Sequence, residues 1–126
     1  VGSYGQVIYD SANFWFELWN TNVLSVNVGI QTPPLDLNTW THIALTRSGN
    51  TYTFFVNGSS VATNTTPNSD YDLDRSRPWC IGTGGDGPFP GIMDEVRLFD
   101  SALSGSDITG WMNASAPDLT PLGWII

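Results

Sequence analysis

The region 38–63 reads NTWTHIALTRSGNTYTFFVNGSSVAT. Its alternation of apolar and polar residues predicts three strands, which are Trp40–Thr46, Thr51–Val56 and Ser59–Thr63. Arg47–Asn50 is the first turn and Asn57-Gly58 is the second. Asn-Gly tolerates positive φ at both central positions of a two-residue hairpin, so it favours the turn whose twist matches paired strands. The region therefore predicts an antiparallel meander.

The region before the meander is rich in aromatic residues. In Asn13–Trp19, large aromatic side chains fall on both faces of an alternating pattern, which is typical of a central strand covered on both sides. Leu24, Val26 and Val28 then recur at period two with polar residues between them. That pattern indicates a half-buried strand. This part of the chain is predicted to hold two or three strands.

The region after the meander begins with a polar, proline-containing stretch, 64–78, which we expect to be a long loop or a frayed edge. Trp79–Ile81 predicts a short strand. Cys80, the only cysteine, is expected to be a buried, inert thiol within it. Gly82–Pro88 is rich in glycine and predicts a flexible loop.

The next strand is predicted at Gly91–Phe99. Its two faces differ in composition. One face carries Ile92, Asp94, Val96 and Leu98, and the other carries Met93, Glu95, Arg97 and Phe99. Ser104–Asp107 then has the S-x-x-D spacing of a capping box, which predicts one helical turn. Residues 113–126 are expected to be a tail that ends in one last strand, Gly123–Ile126.

The composition bounds the fold class. The chain has 126 residues, 13% of them charged, against about 25% in an average protein. Aromatic residues make up 13%, enough to fill a core. Short strands with tight polar turns and almost no helix predict an all-β fold, a two-sheet antiparallel β-sandwich or jelly roll. The length is that of a single domain over residues 1–126.

The charge balance excludes several kinds of partner. Four arginines face twelve acidic residues, and the formal net charge is −8. A field of that sign repels phosphate backbones and anionic membrane surfaces, so nucleic-acid binding is not expected. No apolar run has the length of a membrane span, so membrane insertion is not expected either. Divalent cations and neutral sugars remain compatible with this charge.

Three blocks of the sequence resemble a laminin-G-like jelly-roll domain of the concanavalin-A-like lectin/glucanase superfamily. They are the region 38–63 quoted above, Ile81-Gly82, and PGIMDEVRLFDSALSGSDI from Pro90 to Ile108. The resemblance implies that the domain is partial at its N-terminus, because related domains begin with a strand block that would lie ahead of Val1. It also implies that a partner chain or Gly123–Ile126 supplies the missing edge.

Catalysis is not expected. Glucanases of this superfamily carry E-x-D-x-E on one strand, and glycoside hydrolysis needs two carboxylates across the scissile bond. The only glutamates here are Glu17 and Glu95, and no such run exists. A divergent glycanase that uses these two residues remains an alternative. His42, the only histidine, cannot form a histidine cluster and is expected to be a hydrogen-bonded residue in or near the core.

Acidic residues form one candidate metal site. Asp70, Asp72 and Asp74 share one face if their segment is extended, and oxygen ligands from loops suit calcium. The spacing is not that of an EF-hand, because Arg75 stands where that motif has glycine and Ile81 where it has glutamate. Calcium is common in the resembled family, but a solvated acidic loop explains the same residues.

Loop aromatic residues form the candidate ligand site. Sugar recognition uses an exposed aromatic ring with polar neighbours, and the candidates are Tyr71, Trp79 and Phe89, with Asp86 beside them and Trp111 further on. Packing in the core or at its rim is the alternative for each ring.

These features predict a non-catalytic recognition module. It would bind a glycan or a protein on a surface, with or without calcium. The alternative is a structural component of a larger assembly, such as a virion or a cell-surface array, whose neighbouring subunits complete its edges. Both functions predict an extracellular, cell-surface or virion-surface location.

Overall fold

The computed structural model describes residues 3–10, 12–20, 29–66, 80–84 and 87–114. Within them, strands in antiparallel sheets dominate, with one α-helix. The predicted strand over Leu24–Val28, most of the stretch 64–78 and the predicted strand Gly123–Ile126 lie outside the described residues.

The first sheet contains β1 (Ser3–Asp10), β2 (Asn13–Asn20) and β3 (Ile30–Gln31), in that order. β1 and β2 form a hairpin whose turn places Ala12 at a φ of 74°. β3 pairs with the start of β2 through Phe16 and Ile30. The prediction that Asn13–Trp19 is a central strand is confirmed, because β2 has a neighbour on each side.

Thr32 fixes the junction between β2 and the end of β3. Its backbone N–H donates to the Phe14 carbonyl at 2.9 Å, and its Oγ1 accepts from the Phe14 N–H at 3.0 Å. The buried Asn13 amide donates to the Thr32 carbonyl at 2.8 Å. These bonds satisfy polar groups that would be costly to bury without partners.

The second sheet is the predicted meander, and it is confirmed. It contains β4 (Ile43–Ser48), β5 (Thr51–Val56) and β6 (Ser59–Thr65). Asn57 and Gly58 have φ values of 49° and 79°, as the predicted hairpin turn requires. β4 begins three residues later than predicted, because Trp40–His42 precede it.

The two sheets share one core. Phe16 and Ile30 from the first sheet pack with Tyr52 and Phe54 from β5, and all four are buried. The rings of Phe16 and Tyr52 stack with centroids 5.2 Å apart. Asn64 of β6 also donates from Nδ2 to the Gly29 carbonyl at 3.1 Å, just ahead of β3. The chain is therefore an all-β fold of packed antiparallel sheets.

The helix α1 (Gly105–Asn113) follows the predicted capping box and is longer than the single turn expected. Its buried residue Ile108 faces the protein. Gly105 lies against the Phe55 ring, and Gly58 of the hairpin turn lies against Thr109. Two glycines thus allow α1 to pack closely on the end of the β5–β6 hairpin.

The prediction of a strand at Gly91–Phe99 is wrong, since these residues have no regular secondary structure. Glu95 has a φ of 54°, which breaks the alternation of faces, and Asp94 is exposed rather than on a buried face. Ile92, Val96 and Leu98 are 79%, 56% and 75% exposed. Alternation marks residues that suit a half-buried sheet, but no described strand pairs with them.

The described part of the predicted strand Trp79–Ile81 is also irregular. Cys80 is exposed, so its prediction as a buried thiol is wrong. Trp40, predicted to share a strand face with His42 and Ala44, is instead exposed in the loop before β4. The glycine-rich loop contains two short strands, β7 (Thr83–Gly84) and β8 (Gly87–Pro88), which pair with each other.

Candidate functional site

An open cleft of about 270 Å³ lies beside the β7–β8 hairpin. Its lining is apolar and consists of Ile81, Gly82, Phe89, Gly91 and Met93. The Phe89 N–H donates to the Gly82 carbonyl at 2.9 Å, which holds the two sides of the hairpin together. The cleft is therefore formed by the residues that enter and leave this hairpin.

Phe89 is anchored to the first sheet. Its ring lies 5.6 Å from that of Tyr9 in an edge-to-face contact and 6.0 Å from that of Phe14, while Tyr9 and Phe14 are 5.4 Å apart. Rings at these separations attract one another beyond simple burial. Phe89 is half-buried, so a fixed ring contributes to both the cluster and the cleft.

Gly91 leaves the space beside the Phe89 ring open. A Cβ atom at position 91 would lie 2.6 Å from Cε1 and 3.0 Å from Cζ of that ring. Gly82, at a φ of 74°, leaves similar room opposite Met93, whose Sδ would lie 3.7 Å from an added Cβ. The absence of two side chains thus shapes the cleft.

Phe89 is the one candidate ligand residue that the described part of the chain includes, and the structure places it in the cleft. The candidates Tyr71, Trp79 and Asp86 lie outside the described residues. Ile81 and Met93 were interpreted as strand residues, so the sequence analysis missed them. The glycines at 82 and 91, next to an aromatic residue, are the signal that could have indicated the cleft.

The candidate calcium ligands Asp70, Asp72 and Asp74 also lie outside the described residues. Among the residues that are described, no group of three or more His, Cys, Asp or Glu side chains could hold a metal ion. The calcium site therefore stays a prediction.

Arg97 organises a second aromatic cluster. Its guanidinium lies over the Trp111 ring at 5.3 Å, donates to the Trp111 carbonyl at 2.9 Å and forms an ion pair with Glu95. The predicted pairing of Glu95 with Arg97 is confirmed. Phe99 packs against Trp111 at 5.5 Å. Trp111, a candidate sugar platform, is thus engaged by its neighbours.

The carboxylates of the described residues are not arranged for glycoside hydrolysis. Glu95 is paired with Arg97, and the Asp94 carboxylate accepts the Glu95 N–H at 2.8 Å. Both residues are exposed. Neither environment resembles the protected pair of opposed carboxyl groups that this reaction uses.

His42 is half-buried beside the β5–β6 turn. Its backbone N–H donates to Asn57 Oδ1 at 3.0 Å, while its Nδ1 is buried and has no hydrogen-bond partner among the described residues. Burial, and then the positive charge of Arg97, lower the pKa of His42 from its ordinary value. The prediction that His42 lies near the core is confirmed, but its ring lacks the expected hydrogen bond at Nδ1.

Comparison with known proteins supports the fold. A family model described as "Concanavalin A-like lectin/glucanases superfamily", of the laminin-G type, matches residues 2–109. A crystal structure of an S-layer domain-containing protein (residues 221–444) from Clostridium thermocellum is similar at 23% identity and a TM-score of 0.49. That match covers 85% of this chain and 62% of the other. No curated protein matches the chain.

The single described helix was considered as a possible membrane span. No helix within the described ranges is both long enough and apolar enough to cross a bilayer.

Proposed function

Because the chain belongs to the laminin-G-like group of the concanavalin A-like lectin/glucanase superfamily, we propose that it is a non-catalytic recognition module that binds a glycan at the Phe89 cleft. The observation that carries this proposal is the fixed aromatic ring at an open cleft. Protein ligands are the second kind of partner that the same cleft could accept.

The size of the cleft limits the ligand. Pockets that enclose a drug-sized ligand have volumes of about 300–1,000 Å³, and this cleft lies just below that range. It suits the apolar face of one sugar ring, with the rest of the glycan outside. The net charge of −8 disfavours acidic glycans, so a neutral glycan is the better match.

The same arrangement supports binding without hydrolysis. The cleft is lined by apolar residues and glycines, and the described carboxylates nearest in sequence, Asp94 and Glu95, are bonded to their own neighbours. A ligand in the cleft would meet a ring and backbone rather than an acid and a base.

A glycan array tests this function. We expect the unmodified protein to bind one set of neutral glycans, and Phe89→Ala to lose at least about tenfold in affinity, which corresponds to 1.4 kcal/mol. Gly91→Ala should give a similar loss, because the new methyl group collides with the ring edge. Gly29→Ala is the matched control, since an added Cβ there meets no atom within 4 Å.

The outcomes separate the hypotheses. Binding that survives both cleft substitutions would place the ligand elsewhere. No binding to glycans, matrix proteins or host surfaces would remove the recognition function itself. Hydrolysis of a glycan that is lost in a Glu17→Gln, Glu95→Gln double variant would instead support the glycanase alternative.

Calcium assistance is a further part of this proposal. The residues that would hold the ion are Asp70, Asp72 and Asp74, whose oxygen atoms suit calcium. A chelator arm in the same array tests it, and Asp72→Asn should reproduce the effect of the chelator. Equal binding with and without the chelator would limit the site to the cleft alone.

We also propose that the module acts outside the cell, at a cell or virion surface, where glycans and surface proteins are available. The alternative as a component of a larger assembly predicts neighbouring subunits. Size-exclusion chromatography distinguishes them, because a monomer across the micromolar range is expected of a recognition module and contradicts an obligatory assembly.

A further inference from the structure

The segment between Gly91 and Phe99 exposes a continuous row of apolar side chains, which we call the apolar row. Its members are Ile92, Met93, Val96, Leu98 and Phe99, each at least 40% exposed. Single exposed apolar residues are common on proteins, but a contiguous set is typical of a surface that another segment covers. No described strand pairs with this segment.

The helix α1 directs the following chain toward this row. Trp111, in its last turn, contacts Phe99 through its ring and Arg97 through its carbonyl. Ala114, at the end of the helix, has the extended values φ −69° and ψ 125°. The chain after residue 114 therefore starts beside one end of the apolar row and in an extended conformation.

We propose that the C-terminal segment Leu122–Ile126 packs on the apolar row. Four of its five residues are large and apolar, and residues 115–121, which precede it, include two prolines, a serine, a threonine and an aspartate. Eight residues separate Ala114 from Leu122, and an extended chain spans at most about 3.3–3.6 Å per residue, or roughly 26–29 Å. The row spans eight residues from Gly91 to Phe99, so the segment reaches all of it.

A second copy of the chain is the less favourable occupant. Each copy carries a net charge of −8, so two copies repel each other at low ionic strength. A tethered segment acts instead at an effective concentration in the millimolar range. The tether therefore favours the chain's own C-terminal segment at ordinary protein concentrations.

Disulfide trapping tests the contact directly. In a Cys80→Ser background, which removes the exposed native thiol, we introduce Val96→Cys together with Ile125→Cys and oxidise the protein mildly. We expect an intramolecular disulfide in most molecules, seen as a faster monomer band on a non-reducing gel. The matched control pairs Ile125→Cys with Leu37→Cys, which is similarly exposed in the loop before β4, and should cross-link at least about fivefold less.

Each other result contradicts the proposal. A disulfide-linked dimer through position 96 would assign the row to a second copy. Equal trapping at positions 37 and 96 would show that the segment has no preferred site, and no trapping at either position would show that it does not reach the row.

Hydrogen exchange gives a second measurement that needs no new cysteine. We expect truncation after Pro121 to raise the exchange rates of amides 92–98 by at least about tenfold. Amides of β5 (Thr51–Val56) should be unchanged, which shows that the truncated chain is folded. Unchanged exchange at 92–98 with β5 still protected would overturn the proposal.

Discussion

At the scale of single residues, His42 links burial to pH. Its pKa is lowered by burial and by Arg97, so the unfolded chain binds more protons than the folded chain just below the ordinary pKa of 6.5. Stability from this residue is then fully present above pH 6.5 and decreases as the pH falls toward the lower folded pKa. We expect the urea midpoint to decrease from pH 7.5 to pH 5.5.

The control for this prediction is His42→Gln, which cannot titrate. We expect its urea midpoint to change less than that of the unmodified protein over the same pH range. The same slope in both proteins would show that other groups cause the pH dependence.

Gly58 tests the close contact between the meander and α1. It has a φ of 79°, and an added Cβ would lie 2.6 Å from Thr109 Oγ1. Gly58→Ala thus combines backbone strain with a collision, and we expect a loss of about 2–3 kcal/mol in the free energy of unfolding. Gly49→Ala, with a φ of 57° and open space, should lose only the strain, about 1 kcal/mol.

A double variant separates the two terms at position 58. Adding Thr109→Ala to Gly58→Ala should recover the difference from Gly49→Ala, when compared with Thr109→Ala alone. Equal losses at positions 49 and 58 in urea unfolding would mean that α1 moves away at no cost.

At the scale of elements, the start of α1 depends on a reciprocal pair. Ser104 Oγ accepts the Asp107 N–H at 3.2 Å, and Asp107 Oδ2 accepts the Ser104 N–H at 3.0 Å. The hydrogen bonds from the Ser104 side chain and then its backbone lower the pKa of Asp107. We expect Ser104→Ala to lower the free energy of unfolding by about 1 kcal/mol, measured in urea. Ser101→Ala, an exposed serine before the cap, should have no effect beyond about 0.5 kcal/mol.

The meander could be predicted from the sequence because its signals are local. Asn57-Gly58 specifies the turn, and the period of two in Thr51–Val56 specifies a strand that has neighbours within the same 26 residues. The capping box before α1 is local in the same way. Local propensity and tertiary packing agree at these elements, which makes them readable without coordinates.

The segment Gly91–Phe99 could not be predicted correctly because strand formation depends on a partner. Its alternation is as clear as that of β5, yet the described residues provide no strand beside it, and Glu95 adopts a positive φ. The cleft shows the same limit. Phe89 could be singled out as a loop aromatic, but its contacts with Tyr9 and Phe14 join residues about 80 positions apart.

At the scale of the whole molecule, two small sheets depend on each other. Neither three-stranded sheet has a core of its own, since the buried cluster takes Phe16 and Ile30 from one and Tyr52 and Phe54 from the other. A partner segment on the apolar row would extend this shared burial to the side that carries Gly91–Phe99. Folding of the two sheets should therefore be a single cooperative event.

The net charge of the molecule opposes that cooperation. A charge of −8 on 126 residues repels itself in the compact state, and salt screens the repulsion. Raising NaCl from 10 to 100 mM shortens the screening length from about 30 Å to about 10 Å. We expect Tm to rise by roughly 2–5 °C over this range, which corresponds to about 1 kcal/mol for a domain of this size. Asp36→Asn with Asp100→Asn removes two exposed charges and should raise Tm at 10 mM NaCl while reducing the response to salt. A Tm that falls with NaCl would show instead that attractive pairs such as Glu95–Arg97 outweigh the repulsion among the acidic residues.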